Sequence, residues 1–304
     1  MAKLRRQSNT GDFMSRNMDK RLSELEASIS SIYNEAYDEA QKKLDRYLAR
    51  YEEQYELMTA RYLEEEITQT EYEHWVQAQM LRTQRYRATV ESLSETLVNA
   101  DILAMATVEG ELPIVLAQSF NFTQFVGNII AENTGLTVGT FQIYNTRSIQ
   151  AIIRDNPTLL IPRVDIPRDQ RWNRQHINRA ISQGLINGDS MQSIAERLQA
   201  VVQMDDNAAI RNARTATTCA ENLGRNESYH FIRSQGIDMA KEWSATHDSR
   251  TRDTHLLLDG TRPNEDGYFG EGILDPNHLM QYPADPNGEG KEIYNCKVEE
   301  TVKE

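Results

Sequence analysis

Between Met18 and Glu66 the chain contains neither proline nor glycine. That absence constrains the fold more than any other feature, because these two residues are the usual interrupters of a helix. Apolar and aromatic residues recur through the stretch at Leu22, Leu25, Ile29, Tyr33, Ala36, Ala40, Leu44, Tyr47, Tyr51, Tyr55, Met58 and Tyr62. Steps of three and four place them on one helical stripe. A continuous helix of this length would reach on the order of 70 Å at 1.5 Å per residue. Leu22, Tyr33, Leu44 and Tyr55 recur every eleven residues, which suits a nearly straight helix better than a left-handed heptad coil. Such a rod has to lie against something. Tyrosine has an apolar body and a polar tip, suited to a half-wet seam. Leu22, Tyr33, Leu44, Tyr47, Tyr51, Tyr55 and Tyr62 are therefore expected to bind a partner.

Beyond the rod, Thr70 and Glu73 have the spacing of a capping box, so a second helix is expected from Glu71 past Trp75, Met80, Leu93, Leu97 and Leu103 to Val108. Gly110 and Pro113 are expected to end it and to open a third helix from Ile114 to Ala131. Further helices are expected around Thr146 to Arg154, at Asp169 to Gly184, at Ser190 to Met204 and at Asn207 to Ser234. From Asp238 onward, Gly, Pro and Asn punctuate the chain every few residues, and the pattern becomes short strands and loops. The expected fold class is an α-helical N-terminal arm, a long helical hairpin, plus a C-terminal α+β domain with short helices, a small sheet and long loops. In linear order this gives a basic flexible tail at 1–17, the arm at 18–135, a linker at 136–168, the compact domain at 169–298 and a polar tail at 299–304.

Composition narrows the function classes. The 46 acidic residues outnumber the 33 basic ones, for a net charge of -13, and hydrophobic residues make up 39%. Nonspecific nucleic-acid binding rests on Lys and Arg neutralising phosphates, so only local basic patches remain open to it. The N-terminal tip is one, and Lys3, Arg5, Arg6 and Arg16 are candidate DNA contacts; the run from Arg163 to Arg179 reads as a solvated helix face. The two cysteines, Cys219 and Cys296, cannot make a disulfide scaffold or a four-thiolate zinc site and are expected to be reduced. Neither a membrane-spanning run nor a secretory leader is expected, since the opening MAKLRRQSNTGDF has no apolar stretch behind it.

One segment concentrates reactive residue types: WSATHDSRTRDTHLLLDG, Trp243 to Gly260, with Cys296 downstream. Its histidines and aspartates could hold a divalent ion, and its arginines would suit a phosphodiester. A metal-dependent nuclease using Asp248, His255 and Asp259 is thus the alternative reading. The spacing, however, matches neither a paired-cysteine zinc motif nor the helical His pair of a metalloprotease. The favoured reading is a lattice in which arginine forks and carboxylates fix loops that have little apolar core of their own. No catalytic residue, cofactor or metal is expected.

The order of EWSATHDSRTRDTHLLLDG, Phe269, YPADP at Tyr282 to Pro286, and Asn295-Cys296 resembles the C-terminal domain of the minor head proteins of tailed bacteriophages, the group named after the F protein of phage Mu. Upstream, GLINGDSMQSIAERL, ARTATT and NLGRNESY are similar to the helical lead-in of that domain, and the likeness runs from about Asp169 to Val298. The resemblance assigns motif positions to Trp243, Asp248, Arg250, Thr251, Arg252, His255, Asp259, Gly260, Tyr282, Pro283, Asn295 and Cys296. Members commonly end in Asn-Cys-Arg-Cys. Here Lys297 and Val298 stand at the last two positions, which removes a potential zinc ligand. The resemblance implies a non-enzymatic structural protein of the virion. It would act near the portal vertex, with host cytoplasm as its site of assembly. Expected partners are the portal protein, a capsid or scaffold protein, further copies of itself, and packaged DNA through the basic tip.

Overall fold

In the computed structural model the described residues are 7–133, 146–155, 165–237, 240–245, 247, 249, 251–294 and 299–303. Among them, the helices are α1 (Gln7–Leu48), α2 (Glu52–Leu63), α3 (Gln69–Val76), α4 (Gln84–Asn133), α5 (Thr146–Asp155), α6 (Ile166–Asn187), α7 (Met191–Ser234), α8 (Asp253–Leu258) and α9 (Gly290–Ile293). Strands β1 (Ala240–Ser244) and β2 (Glu299–Lys303) form an antiparallel pair with Trp243 opposite Glu300. Helices dominate, and the expected small sheet is this ribbon. The chain folds as two compact units: one made of Met1–Glu26, Thr107–Pro162 and Arg211–Glu304, the other of Ala27–Ala106 and Arg163–Ile210. Each unit joins stretches that are far apart in sequence.

Helix boundaries differ from the sequence expectation in several places; the helix expected from Glu71 to Val108 is interrupted by a π-helical turn at Gln77–Leu81 before α4 begins at Gln84. The rod does not run unbroken to Glu66, because a turn at residues 49–51, closed by Tyr51 N–H donating to the Leu48 carbonyl at 2.8 Å, separates α1 from α2. On α2, the Tyr55 hydroxyl donates to the Asp189 carbonyl oxygen at 2.9 Å, a partner 134 residues away that no local pattern could announce. The capping box sits two residues earlier than expected. Thr68 Oγ1 accepts from Glu71 N–H, while the Glu71 carboxylate accepts from Thr68 N–H at 2.9 Å.

The expected break at Gly110 and Pro113 is absent, and α4 runs straight through both. Proline inside a helix costs about 3 kcal/mol. Val108, Leu112, Val115 and Leu116 around it are buried to 5% exposure or less. At about 1.5–3 kcal/mol per buried aliphatic side chain, that packing outweighs the lost backbone bond. Likewise α7 is one helix across Asp205-Asp206-Asn207 where a break was expected. The carboxylate of Asp206 accepts from Ser30 Oγ at 3.2 Å and from Gln203 Nε2 at 3.0 Å, which satisfies it within the helix, whereas the buried Asp205 Oδ2 finds no hydrogen-bond partner among the described residues.

In the second unit the stripe of α1 is the core. Ile29, Ala40 and Leu44 are fully buried, with Tyr33, Tyr47 and Tyr55 at 3–4%, alongside Tyr72, Met80, Leu93, Leu97, Ile177, Ile181, Leu185, Ile194 and Leu198. This corrects the expectation of a partner seam: Tyr33, Leu44, Tyr47 and Tyr55 are spent inside the chain, and only Leu22, Tyr51 and Tyr62 stay half-exposed. The buried hydroxyls find internal acceptors, Tyr33 on Asp101 at 2.6 Å and Tyr47 on the Met80 carbonyl at 3.0 Å. The Met80 carbonyl lies in a π-helical turn, Gln77–Leu81, between α3 and α4.

In the first unit, α4 and α7 approach so closely at Gly224 that a Cβ there would stand 2.6 Å from the Leu116 carbonyl oxygen. Ser119 Oγ donates to the Glu221 carbonyl at 2.6 Å in the same contact. Leu116, Cys219 and Leu223 from these helices join Ile149 of α5, Trp243 of β1, Leu258 of α8, Ile293 of α9 and the loop residues Phe269, Met280 and Tyr282 in one apolar cluster.

Candidate functional site

β1 alternates between half-buried and buried positions, so Lys241 and Trp243 point the same way into the core. The Trp243 backbone is clamped to the following loop: its N–H donates to the Thr261 carbonyl at 3.0 Å, and its carbonyl accepts from Gly260 N–H at 2.8 Å. Gly260 has φ +75°, a conformation that glycine adopts without strain. The Trp243 ring is fully buried and meets His255 edge-on at 5.7 Å and Phe269 edge-on at 5.3 Å. Phe269 and Met280 pair as an isolated antiparallel bridge, closing the long loop between them.

The polar groups surrounding this aromatic centre each have an internal task. His255 on α8 and Glu292 on α9 are both almost wholly buried, with His255 Nε2 3.3 Å from Glu292 Oε2. Thr254 Oγ1 donates to the same carboxylate at 2.7 Å. Burial, followed by the Arg252 charge, holds the His255 pKa below its ordinary value, so the ring is neutral near pH 7. Arg252 donates to the Tyr294 carbonyl oxygen. Asp259 accepts from Ala245 N–H at 2.8 Å through one oxygen and meets His247 Nε2 at 2.8 Å through the other.

A second polar knot lies under Phe269. The buried Lys241 ammonium donates to Asn226 Oδ1 at 2.5 Å and to the Gln281 carbonyl at 3.4 Å, and it lies 6.0 Å from the Phe269 ring centre. Asp285, 1% exposed, accepts from the backbone N–H groups of Gln281 and Asn287 at 2.8 and 2.9 Å. The Tyr282 carbonyl accepts from Asp285 N–H at 3.1 Å across a turn with Pro283 first and Ala284, at φ +61°, second. A proline followed by a positive-φ residue is the pattern of a type II turn.

Of the motif residues expected from sequence, Trp243, His255 and Tyr282 are brought into one buried cluster, with Arg252, Asp259, Gly260 and Pro283 tying the loops around it. Asp248, Arg250, Asn295 and Cys296 lie outside the described residues, as do Lys3, Arg5 and Arg6; Arg16 is exposed on α1. Sequence reading missed Lys241, Asn226, Asp285, Thr254 and Glu292. Lys241 was legible through its two-residue spacing from Trp243. Glu292 carried no signal, because only the fold brings it to His255.

Chemically, His255 faces Glu292 while Asp259 accepts from Ala245 N–H and meets His247. Burial pushes the Cys219 thiol well above its ordinary pKa, which makes it a poor nucleophile. Among the described residues, no group of three or more His, Cys, Asp or Glu side chains is placed to hold a metal ion, and no helix is long and apolar enough to cross a membrane. The cluster fixes loops in place: an aromatic centre whose surrounding backbone and side-chain groups are tied by hydrogen bonds, although the buried Trp243 Nε1–H itself has no partner among the described residues.

Comparison with known proteins places the C-terminal part of this cluster, from Cys219 to Ile293, within a recognised segment. Residues 175–298 match the family described as Phage Mu protein F like protein. Over 177 residues, 54% of this chain, the sequence is 30% identical to the minor head protein GP7 of Bacillus phage SPP1, covering 56% of that protein. A stretch of 95 residues is 32% identical to the NAD(+)-arginine ADP-ribosyltransferase EFV of Enterococcus faecalis, covering 20% of that protein. The chain thus spans about half the length of the first relative and a fifth of the second. No solved structure matches it.

Proposed function

We propose that this chain, whose residues 175–298 match the phage Mu protein F-like family, is a structural minor head protein of a tailed bacteriophage or prophage. It takes its place at the portal vertex during head assembly in the host cytoplasm and remains in the virion. The observation that carries this reading is the likeness to a minor head protein over 54% of the chain, together with the family match at residues 175–298, whose motif positions Trp243 and Tyr282 are buried in one cluster. Its partners are the portal protein, a capsid or scaffold protein and further copies of itself. The basic tip with Lys3, Arg5, Arg6 and Arg16 contacts packaged DNA and supports packaging, retention or ejection. The helical arm of residues 18–135 is the element that docks on neighbours. Since Tyr33, Leu44, Tyr47 and Tyr55 are buried, that docking falls to outward side chains such as Leu57 and Leu63, which are 61% and 69% exposed.

The role is non-catalytic. The stretch shared with an ADP-ribosyltransferase covers only a fifth of that protein, whereas the likeness to a minor head protein covers 56% of that one. The test is to delete the gene from the phage that encodes it and to determine the composition of purified heads by mass spectrometry. The expected result is a low-copy protein present in wild-type heads, co-purifying with the portal and absent from the mutant. A chain found only free in the lysate, with heads of unchanged composition and infectivity, overturns the reading.

A further inference from the structure

A cleft in the second unit carries a charge opposite to that of the chain as a whole. Its walls are Lys43, Arg46, Tyr47 and Arg50, from the end of α1 and the turn after it, and Arg85, Ala88, Thr89 and Ser92, from the first turns of α4. The cavity measures about 310 Å³. Four of these eight wall residues are cationic and none is acidic, in a protein whose net charge is -13.

The cations are not consumed by internal pairing. Lys43 is the exception: its ammonium pairs with Glu39 at 2.6 Å and donates to Thr96 Oγ1 at 2.6 Å. Arg46 uses only Nε, on the Lys42 carbonyl at 3.0 Å. Among the described residues, Arg50 and Arg85 have no ion-pair partner, and both are exposed. Arg85 also stands in the first turn of a 50-residue helix, whose N-terminal end adds partial positive charge. Thr83 caps that end, its Oγ1 accepting from Tyr86 N–H at 3.1 Å. Tyr47 is 4% exposed with its hydroxyl already given to Met80, so it supplies an apolar wall that strengthens electrostatic attraction beside it.

We propose that this cleft binds phosphate groups. Planar guanidinium forks match phosphate oxygens in pairs, and Arg46, Arg50 and Arg85 present three of them, with the Thr89 and Ser92 hydroxyls as further donors. A phosphate-bearing small molecule and the backbone of a nucleic acid share this chemistry. The site shares no residue with the basic N-terminal tip, and phosphate binding by the purified chain does not depend on a role in the phage head.

The test uses the purified full chain at low salt. Inorganic phosphate and pyrophosphate are titrated by calorimetry, and a short fluorescent DNA duplex by anisotropy, with Arg233→Ala as a control at an exposed arginine outside the cleft. The expected result is binding of at least one of these probes, weakened about tenfold by Arg50→Ala and again by Arg85→Ala, and unchanged in the control. If DNA is the ligand, the double variant also lowers the salt dependence of log K by about 2, one phosphate contact per arginine. Binding of pyrophosphate alone assigns the site to a small phosphate ligand. Absence of binding to all probes, or binding unchanged in the double variant, overturns the proposal; so does equal competition by polyglutamate. DNA binding that survives the double variant but is lost on removing residues 1–17 also overturns it, while leaving the role of the N-terminal tip standing.

Discussion

Tyr33 donates its hydroxyl hydrogen to Asp101 Oδ1 at 2.6 Å, tying the middle of α1 to α4 inside the second unit. Burial raises the Asp101 pKa from 3.8 to about 6, and burial with the charges of Asp101 and Asp169 raises that of Asp205 from 3.8 to about 8. A carboxylic acid with a raised pKa in the folded state is more stably folded when protonated. The stability these groups lend is therefore complete below about pH 3.8 and is lost as pH rises through about 6 for Asp101 and about 8 for Asp205. Asp205→Asn removes the burden of the charge. It is expected to stabilise the chain by up to about 5 kcal/mol at pH 8 and by less than about 1 kcal/mol near pH 4; urea unfolding at the two pH values measures this. Tyr33→Phe is expected to cost about 1–3 kcal/mol at pH 7, because it leaves a buried carboxylate short of a donor.

His255 has the opposite pH sign. Its pKa is lowered from 6.5, so the stability from its neutral form is complete above about pH 6.5 and is lost as pH falls through the folded value. His255→Gln is expected to flatten the loss of melting temperature on acidification below pH 6.5. His255→Ala is expected to cost about 3 kcal/mol near neutral pH, since it opens a void beside Trp243 and takes a partner from buried Glu292. Calorimetric melting across the pH series reads both.

Gly224→Ala is expected to destabilise by about 1–3 kcal/mol despite alanine's better helix propensity. The added carbon would lie 2.6 Å from a backbone oxygen that cannot rotate away. Gly110→Ala, on α4 with nothing within 4 Å of its Cβ position, is the helical-glycine control and is expected to gain up to about 1 kcal/mol. Chemical denaturation of the pair separates close packing from propensity.

Thr68→Ala is expected to cost about 1 kcal/mol by removing the capping box of α3, whereas Thr70→Ala, at the position favoured by sequence spacing, is expected to change stability by less than about 0.5 kcal/mol. Thermal melts of the two variants distinguish the two placements.

Periodicity legibly identified which side of α1 would be buried, and the motif order identified the loops around Trp243. It was blind to what those residues meet. Leu44 and Tyr55 look the same in sequence whether they pack on a neighbour or on α4 and α6, because an apolar stripe records the need for burial and carries no address. Pro113 and the Asp205-Asp206 pair misled for a related reason. Local rules weigh one backbone bond or one polar residue, and packing around Leu112 and Leu116, or a hydroxyl from Ser30, alters that balance from elsewhere in the chain.

The sequence by itself determined a mainly helical protein, the buried face of α1, the loop-rich stretch after Asp238, and the likeness to the Mu F-like family, since each of these rests on residues close together in the chain. Only the tertiary structure decided that the tyrosine stripe is interior, that Glu292 stands beside His255, that Gly224 admits the α4 backbone, and that Arg50 and Arg85 share a cleft. Those pairings join residues separated by tens of positions. They are fixed by the packing of whole helices, which no short window of sequence encodes.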